Sequence, residues 1–433
     1  MRMDWTEKLL RALYTLALYL LVPITVYHLV WRGFRQNAYF QRWSERYGIY
    51  SGKASKGVLW VHAVSVGEVN AAIPLINALR KRRPDLRLLV TTITPTGSER
   101  VRALWGHEVE HAYLPYDLPG AVTRFLKQYQ PLLGVIMETE IWPSLLFACR
   151  DAKVPVVIVN ARLSANSLRG YRVLAPLISR AVRTVTKIAA QSVNDAKRFI
   201  KLGAREEQVD VLGNLKFDVT APTDTTLFRE AFRSHSGQRP IWIAASTHEE
   251  EEGAVFSIHR KIRAKYPNAL LIWAPRHPER FRAVAISGQS LGFRIANRST
   301  ATWPSASDDI FLLDTIGELA KMFSAADVAF IGGSLQPIGG HNLLEPAAAG
   351  VPTVTGPHLH NFVDISKRLR EADALIIADD EPAVATALLG LLEDPARARA
   401  MSAAGLQLIE DGKGALDRCL ALILPMLPPP PRA

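Results

Sequence analysis

From about residue 57 onward the chain alternates short β-branched apolar runs with amphipathic helical stretches, and no other feature restricts its fold as much. A strand that is apolar on both faces has to be covered by helices on both, which is the pattern of parallel sheets. The first half holds six such runs, "VLWVHAVS", "LRLLVTTIT", "LLGVIMET", "VPVVIVNA", "KIAAQS" and "VDVLGN". The second half holds six more, "PIWIAAST", "ALLIWAPRH", "DIFLLD", "DVAFIGG", "VPTVTG" and "ALIIAD". Between the two sets, residues 217–240 lose apolar patterning and collect Pro, Thr and Ser, which reads as a linker. At 433 residues the chain exceeds one ordinary core and suits two domains of roughly 200 residues each. The expectation is two doubly wound, Rossmann-like α/β domains, at 36–220 and 221–425, facing a cleft where the carboxyl ends of their strands bind ligands. The proline-rich end, 426–433, carries no expected function.

Residues 1–35 belong to neither domain. From Ala12 to Tyr27 there is no charge, and with its flanks the apolar stretch reaches roughly the 20 residues that cross a bilayer. No small-residue cleavage site follows, so the segment reads as an uncleaved anchor. Arg32, Arg35, Arg42 and Arg46 follow it, while Arg2, Lys8 and Arg11 precede it beside Asp4 and Glu7; the positive-inside rule then favours a cytoplasmic body. Pro23 and Arg11 leave open the alternative of a helix lying in the membrane plane. The whole chain, 48% apolar and 21% charged, is globular in composition. Cys149 and Cys419 give neither a disulfide framework nor a metal spacing and suit a reducing compartment. The formal charge of +11 admits nucleic acid, an anionic membrane or a phosphorylated substrate as partner.

Chemistry-bearing residues gather at the strand ends. In the first half "SVGE" places Ser65, Gly67 and Glu68 at a strand-to-helix turn, where a helix N-terminus favours negative charge. Glu68 can equally be a plain helix cap. "METEIWP" ends a very apolar strand with Glu138 and Glu140, "NARLS" adds Asn160, Arg162 and Ser164, and "GNLKFD" adds Asn214 and Lys216. Each alone reads as a solvated turn; several strand ends delivering Glu, Arg and Lys to one edge read as a site. The second half does the same with Ser246, Thr247 and His248, then Arg276 and His277, then Gly317, Glu318 and Leu319 at a helix start. Backbone amides there with Arg276 nearby would suit a phosphate, although each histidine can be an ordinary loop residue. "GGSLQPIGGHNLLEPAAAGVPTVTGP" brings Gly339, Gly340, an exposed-looking His341, Asn342 as a helix cap, Leu343, Leu344 and a buried-looking Glu345 one turn into the helix. That stretch suits a nucleotide sugar, with the glycines letting amides approach a phosphate and Glu345 gripping ribose. An epimerase of the same architecture also fits.

The full ordered set, "SVGE", "METEIWP", "NARLS", "GNLKFD", "AAST" with "HEEEE", "PRHPERF", "GELA", "FIGGSLQPIGGHNLLEPAAAGVP" and "GPHLHNF", resembles the 3-deoxy-D-manno-octulosonic acid (Kdo) transferases of bacterial lipopolysaccharide assembly, glycosyltransferase family 30. The resemblance covers essentially the whole chain, with Glu250 standing where the family often has Gly. It implies a GT-B glycosyltransferase of two Rossmann-like domains, with CMP-Kdo as donor, lipid IVA as acceptor and no nucleic-acid partner. By the same carry-over Glu68 is the general base, expected near its ordinary pKa, and Glu138 and Lys216 stabilise the transition state. Arg276, His277, Gly317 to Leu319 and Asn342 to Glu345 hold CMP, while Ser65, Gly67, Arg162, Ser246, Thr247, His248, Gly339, Gly340 and His341 surround the two substrates. No cofactor and no metal are expected, since the sequence has no Asp-x-Asp, and the displacement is expected to invert. The body is expected on the cytoplasmic side of the inner membrane, a basic face toward the anionic lipid. Another membrane-associated GT-B nucleotide-sugar transferase and a non-catalytic sugar-nucleotide-binding protein are the alternatives.

Overall fold

The computed structural model describes residues 4–52, 55–218 and 224–430. The expected domain boundary after 220 and the last three residues of the proline-rich end lie outside the described residues. The chain forms two compact units, Met1–Asp218 with Gly414–Ala433, and Val219–Lys413.

In the first unit β1 (Leu59–His62), β2 (Leu88–Thr92), β3 (Glu110–Tyr113), β4 (Leu133–Met137), β5 (Val156–Ala161), β6 (Lys187–Ala190) and β7 (Val209–Val211) form one sheet. Its order is β3-β2-β1-β4-β5-β6-β7, and every pairing is parallel. Alternation along β1 sends Trp60 into one apolar layer, with Phe125 and Ile158, and sends Leu59 and Val61 into the other, with Leu75 and Leu79. The second unit repeats the plan with β8 (Ile241–Thr247), β9 (Leu270–Pro275), β10 (Ile295–Asn297), β11 (Ile310–Leu312), β12 (Val328–Ile331), β13 (Thr353–Thr355) and β14 (Leu375–Ile377). Its order is β10-β11-β9-β8-β12-β13-β14, again all parallel. In each sheet the direction of winding reverses beside one central strand, between β1 and β4 and between β8 and β12. Helices leave opposite faces there, so the carboxyl ends of those strands open a crevice.

All twelve expected strands are present. The two that the sequence reading omits, β3 and β10, are both sheet edges. An edge strand is covered less completely, so β3 tolerates Glu110 and His111 and carries no continuous apolar run. Residues 217–240 are not a linker throughout: Thr225–Ser236 is a helix whose Phe232 is fully buried, with ring centroids 5.9 Å from Phe311 and 6.1 Å from Trp303. The second unit also ends earlier than residue 425. The helix Ala415–Ile423 buries Cys419, Leu420 and Ile423 in the first unit's core. Its start is fixed by Asp218, which accepts the N–H of Gly414 at 2.6 Å and of Leu416 at 2.5 Å. The N-terminal apolar segment is a single 31-residue helix, Trp5–Arg35, capped by Asp4 and containing Pro23. By length and composition it is long and apolar enough to cross a membrane.

Candidate functional site

The first unit brings Glu68, Glu138, Glu140 and Lys216 together at its winding reversal. Glu68 sits in the first turn of the helix Val66–Arg82, directly after β1. Ser65, at the N-cap, makes no side-chain cap bond; instead Glu68 Oε2 reaches back to accept the N–H of Val64 at 2.9 Å. Burial pushes the Glu68 carboxyl up to about 8, opposed by that N–H and by Lys216 and reinforced by the charges of Glu138 and Glu140. The expectation of an ordinary carboxyl is therefore corrected, because half-buried space and two like charges surround the group. Glu138 follows β4 in the left-handed region, φ 57°, and this turn aims a non-glycine side chain across the sheet edge. Its Oε1 lies 3.4 Å from Lys216 Nζ. Glu140 accepts the indole N–H of Trp142 at 2.6 Å, and burial raises its carboxyl.

Lys216 owes its place to buried amides. It lies in the one-turn helix Leu215–Phe217, where Asn214 accepts the Lys216 N–H at 2.9 Å and donates to Gln191 Oε1 at 3.0 Å. Gln191 in turn donates to the Asn160 carbonyl at 2.9 Å, and Asn160 Oδ1 accepts the Leu215 N–H at 3.1 Å. Asn160 and Gln191 thus tie the ends of β5 and β6 to the Lys216 turn. Arg162 is exposed just beyond β5, and Gly67 is exposed, with only Ser65 Oγ, at 3.8 Å, near the position its Cβ would take.

The second unit gathers three imidazoles and an arginine at its own reversal. His248 caps the helix Glu249–Lys265 after β8, and His341 enters from the loop after β12. Their rings stack at 5.1 Å with an Nε2 to Nε2 hydrogen bond of 2.9 Å, so one ring gives the proton and the other receives it. His277 meets His248 edge to face at 5.0 Å. His341 is half-buried rather than exposed, and burial, with Arg276 and the other two histidines, holds it down at about 4; the same kinds of cause lower His248. The exposed Arg276 follows β9 and makes no side-chain hydrogen bond or ion pair among the described residues. A neutral imidazole pair beside such a guanidinium leaves a donor-rich surface suited to an oxyanion.

Asn342 is not the helix cap expected of it: the N-cap of the next helix is Leu343, and Asn342, one residue earlier, accepts the Leu344 N–H at 3.1 Å in a local turn and donates to Glu345 Oε1 at 2.8 Å. Glu345 is the second residue of the short helix Leu344–Ala348, rather than one turn in, and burial raises its carboxyl. Leu343 and Leu344 are core side chains, and only their backbone can face a ligand. The helix Leu319–Phe323, opened by Gly317 and Glu318, packs beside Leu344–Ala348. Arg298 ties down the Glu318 carboxylate at 2.7 Å and lowers it, so that group supports its loop. Of Gly339 and Gly340, Gly340 does not hold its amide open to a phosphate. Both have positive φ, Gly340 gives its N–H to the Gly333 carbonyl at 2.7 Å, and a Cβ there would come 2.7 Å from Leu359. Ser246 takes φ 58° at a strand irregularity, and Thr247 accepts the indole N–H of Trp273 at 2.9 Å.

Glu251 is missing from the sequence reading. Its buried carboxylate accepts four backbone N–H groups, from His248 (3.0 Å), Gly333 (2.7 Å), Ser334 (2.9 Å) and Leu335 (2.9 Å). It fastens the His341 loop to the end of β8. The three-residue spacing from His248, that of a capping box, was the available signal inside "HEEEE".

Residues 41–219 match the family profile of 3-deoxy-D-manno-octulosonic-acid transferase (kdotransferase). The chain is 40% identical over 423 residues to the 3-deoxy-D-manno-octulosonic acid transferase of Haemophilus influenzae, covering 96% of this chain and 99% of that one. It is 37% identical over 426 residues to the Bordetella pertussis enzyme of that name, covering 95% and 98%. UDP-GlcNAc 2-epimerase from Neisseria meningitidis, bound to UDP-GlcNAc, superimposes with a TM-score of 0.51 at 14% identity, over 85% of this chain and 100% of that one, a likeness of fold alone. With near full-length identity at that level, the chain belongs to the 3-deoxy-D-manno-octulosonic acid transferase family and is a glycosyltransferase of GT-B type.

Proposed function

We propose that this enzyme transfers Kdo from CMP-Kdo to a sugar hydroxyl of lipid IVA by a single inverting displacement that needs no metal ion, at the cytoplasmic side of the inner membrane. The observation that carries this reading is Glu68, a carboxylate of raised proton affinity at the winding reversal of the first sheet, within electrostatic reach of the Glu138–Lys216 pair. The acceptor oxygen bonds to the anomeric carbon as the bond from that carbon to the CMP phosphate oxygen breaks. The hydroxyl proton passes to Glu68, and the bonding pair leaves with CMP. A carboxylate with a pKa near 8 is only about one-tenth ionised at pH 7, yet it accepts a proton more strongly than an ordinary one. Lys216 offsets developing negative charge, and Glu138 both orients Lys216 and faces the positive charge that grows at the anomeric carbon. In the second unit Arg276 and His277 take the phosphate of CMP, the Gly317 to Leu319 turn offers backbone N–H, and Glu345 takes ribose hydroxyls.

The test is mass spectrometry of lipid IVA incubated with the purified protein and freshly generated CMP-Kdo. Kdo-sized additions are expected with the intact protein, in the presence or absence of chelator, and none with Glu68→Gln, which still binds CMP. Unmodified lipid would refute the acceptor assignment. Loss of activity in chelator, restored by magnesium, would refute the metal-free displacement.

A further inference from the structure

From Glu7 to Thr25 the helix Trp5–Arg35 has the body along one side and open surroundings along the other. An exposed apolar stripe descends in steps of three and four residues, from Trp5 through Leu9, Leu13, Leu16 and Leu20 to Phe34. The opposite stripe is held against the first unit. At one end the buried Glu7 pairs with Arg150 at 2.7 Å, Arg11 reaches Asp151 at 3.1 Å, and Tyr14 donates to Asp117 at 3.0 Å. Midway, Leu18 and Val22 line a cavity of about 310 Å³ that also touches Tyr116 and Trp142. At the other end Leu29 and Gly33 are buried, and Gly33 lies so close to the Phe40 ring that a Cβ would strike it. From Glu7 to Thr25 the globular body therefore runs beside the helix for about 27 Å, at 1.5 Å per residue, and beyond it the chain's own next turn, with Phe40, takes over.

That length takes in nearly all of the uncharged stretch Ala12 to Tyr27, the part that would have to fill the roughly 30 Å hydrocarbon core of a bilayer. A helix standing across the membrane in this structure would carry the side of the body packed beside it, Tyr116, Asp117 and Trp142 included, to membrane depth, where polar and ionisable groups are costly. It would also carry Lys8 and Arg11 across to the side of the membrane away from the larger basic cluster that begins at Arg32 and Arg35. Both costs vanish if the helix lies flat. The charged ends then sit together at the anionic headgroups, and Trp5, Tyr19, Tyr27 and Trp31 occupy the interface that aromatic residues favour.

We propose that Trp5–Arg35 is an in-plane helix whose outer stripe is sunk in one leaflet, so that the enzyme is held on the membrane from one side and does not span it. This holds whatever the enzyme's acceptor. The full-length protein, with nitroxide-labelled cysteines placed one at a time at Leu9, Leu20 and Trp31, would be bound to vesicles of phosphatidylethanolamine and phosphatidylglycerol. Depth is read from collisions with oxygen and a water-soluble nickel chelate. Cys149 and Cys419 are buried, and all three label sites are exposed, so labelling leaves the packing intact. Equal depths at the three positions, about 5–10 Å below the headgroup boundary, are expected. A label at Leu20 lying about 16 Å deeper than one at Leu9 would mean a spanning helix and overturn the proposal. Chelate access as free as in bulk water at all three would overturn it as well.

Discussion

Glu68 carries a consequence for pH. Its folded-state carboxyl is pushed up to about 8, so the ionised base is scarce below that pH and its population grows tenfold per pH unit on approach. At saturating donor, kcat/KM for the acceptor is expected to rise with pH and level off above about 8. Glu138 lifts this carboxyl and Lys216 draws it down, so the two substitutions have opposite signs: Glu138→Gln moves the midpoint to lower pH, Lys216→Met to higher. A pH–rate profile on the three proteins decides the matter, and identical midpoints would sever Glu68 from the pair. Glu68 and Lys216 were legible in the sequence because each directly follows an apolar strand. The raised proton affinity was not, since it comes from burial and from carboxylates about 70 residues away.

At the scale of elements, twelve strands were legible because a strand buried on both faces writes an unbroken apolar run. β3 and β10 were not, because an edge needs no such run. The helix Thr225–Ser236 was hidden by the Pro- and Thr-rich residues before it and by a single anchoring Phe232. Glu251 shows the same limit among side chains: four consecutive Glu residues look like a solvated helix start, and only the fold brings residues 333–335 back to the third of them. Glu251→Ala leaves four backbone N–H groups without their acceptor. At about 1–3 kcal/mol for each one left unsatisfied and buried, the second unit's calorimetric transition is expected to fall well below that of the parent protein. CMP should bind at least tenfold more weakly, because the loop carrying His341 is then unfastened. Unchanged CMP affinity in titration calorimetry would show that the loop stands without this clasp.

For the whole molecule, the fold class could be read from the alternation of runs, but the path of the chain could not. Nothing local in "ALDRCLALI" states which of two similar cores will receive Cys419, Leu420 and Ile423. The structure makes the second unit an insertion within the first, leaving after Asp218 and returning at Gly414, where the Asp218 carboxylate receives the returning chain. When the second unit unfolds alone, it does so as a closed loop of roughly 200 residues with both ends pinned. By loop-closure entropy this removes about 5 kcal/mol of disorder from its unfolded state, much as a crosslink does. Asp218→Ala is therefore expected to lower the melting transition of the second unit, as measured by calorimetry, although the substituted residue lies outside it. Joining the ends of an isolated second unit should recover what isolation loses. The last helix acts as a topological staple, and a change that frees it loosens a domain to which it does not belong.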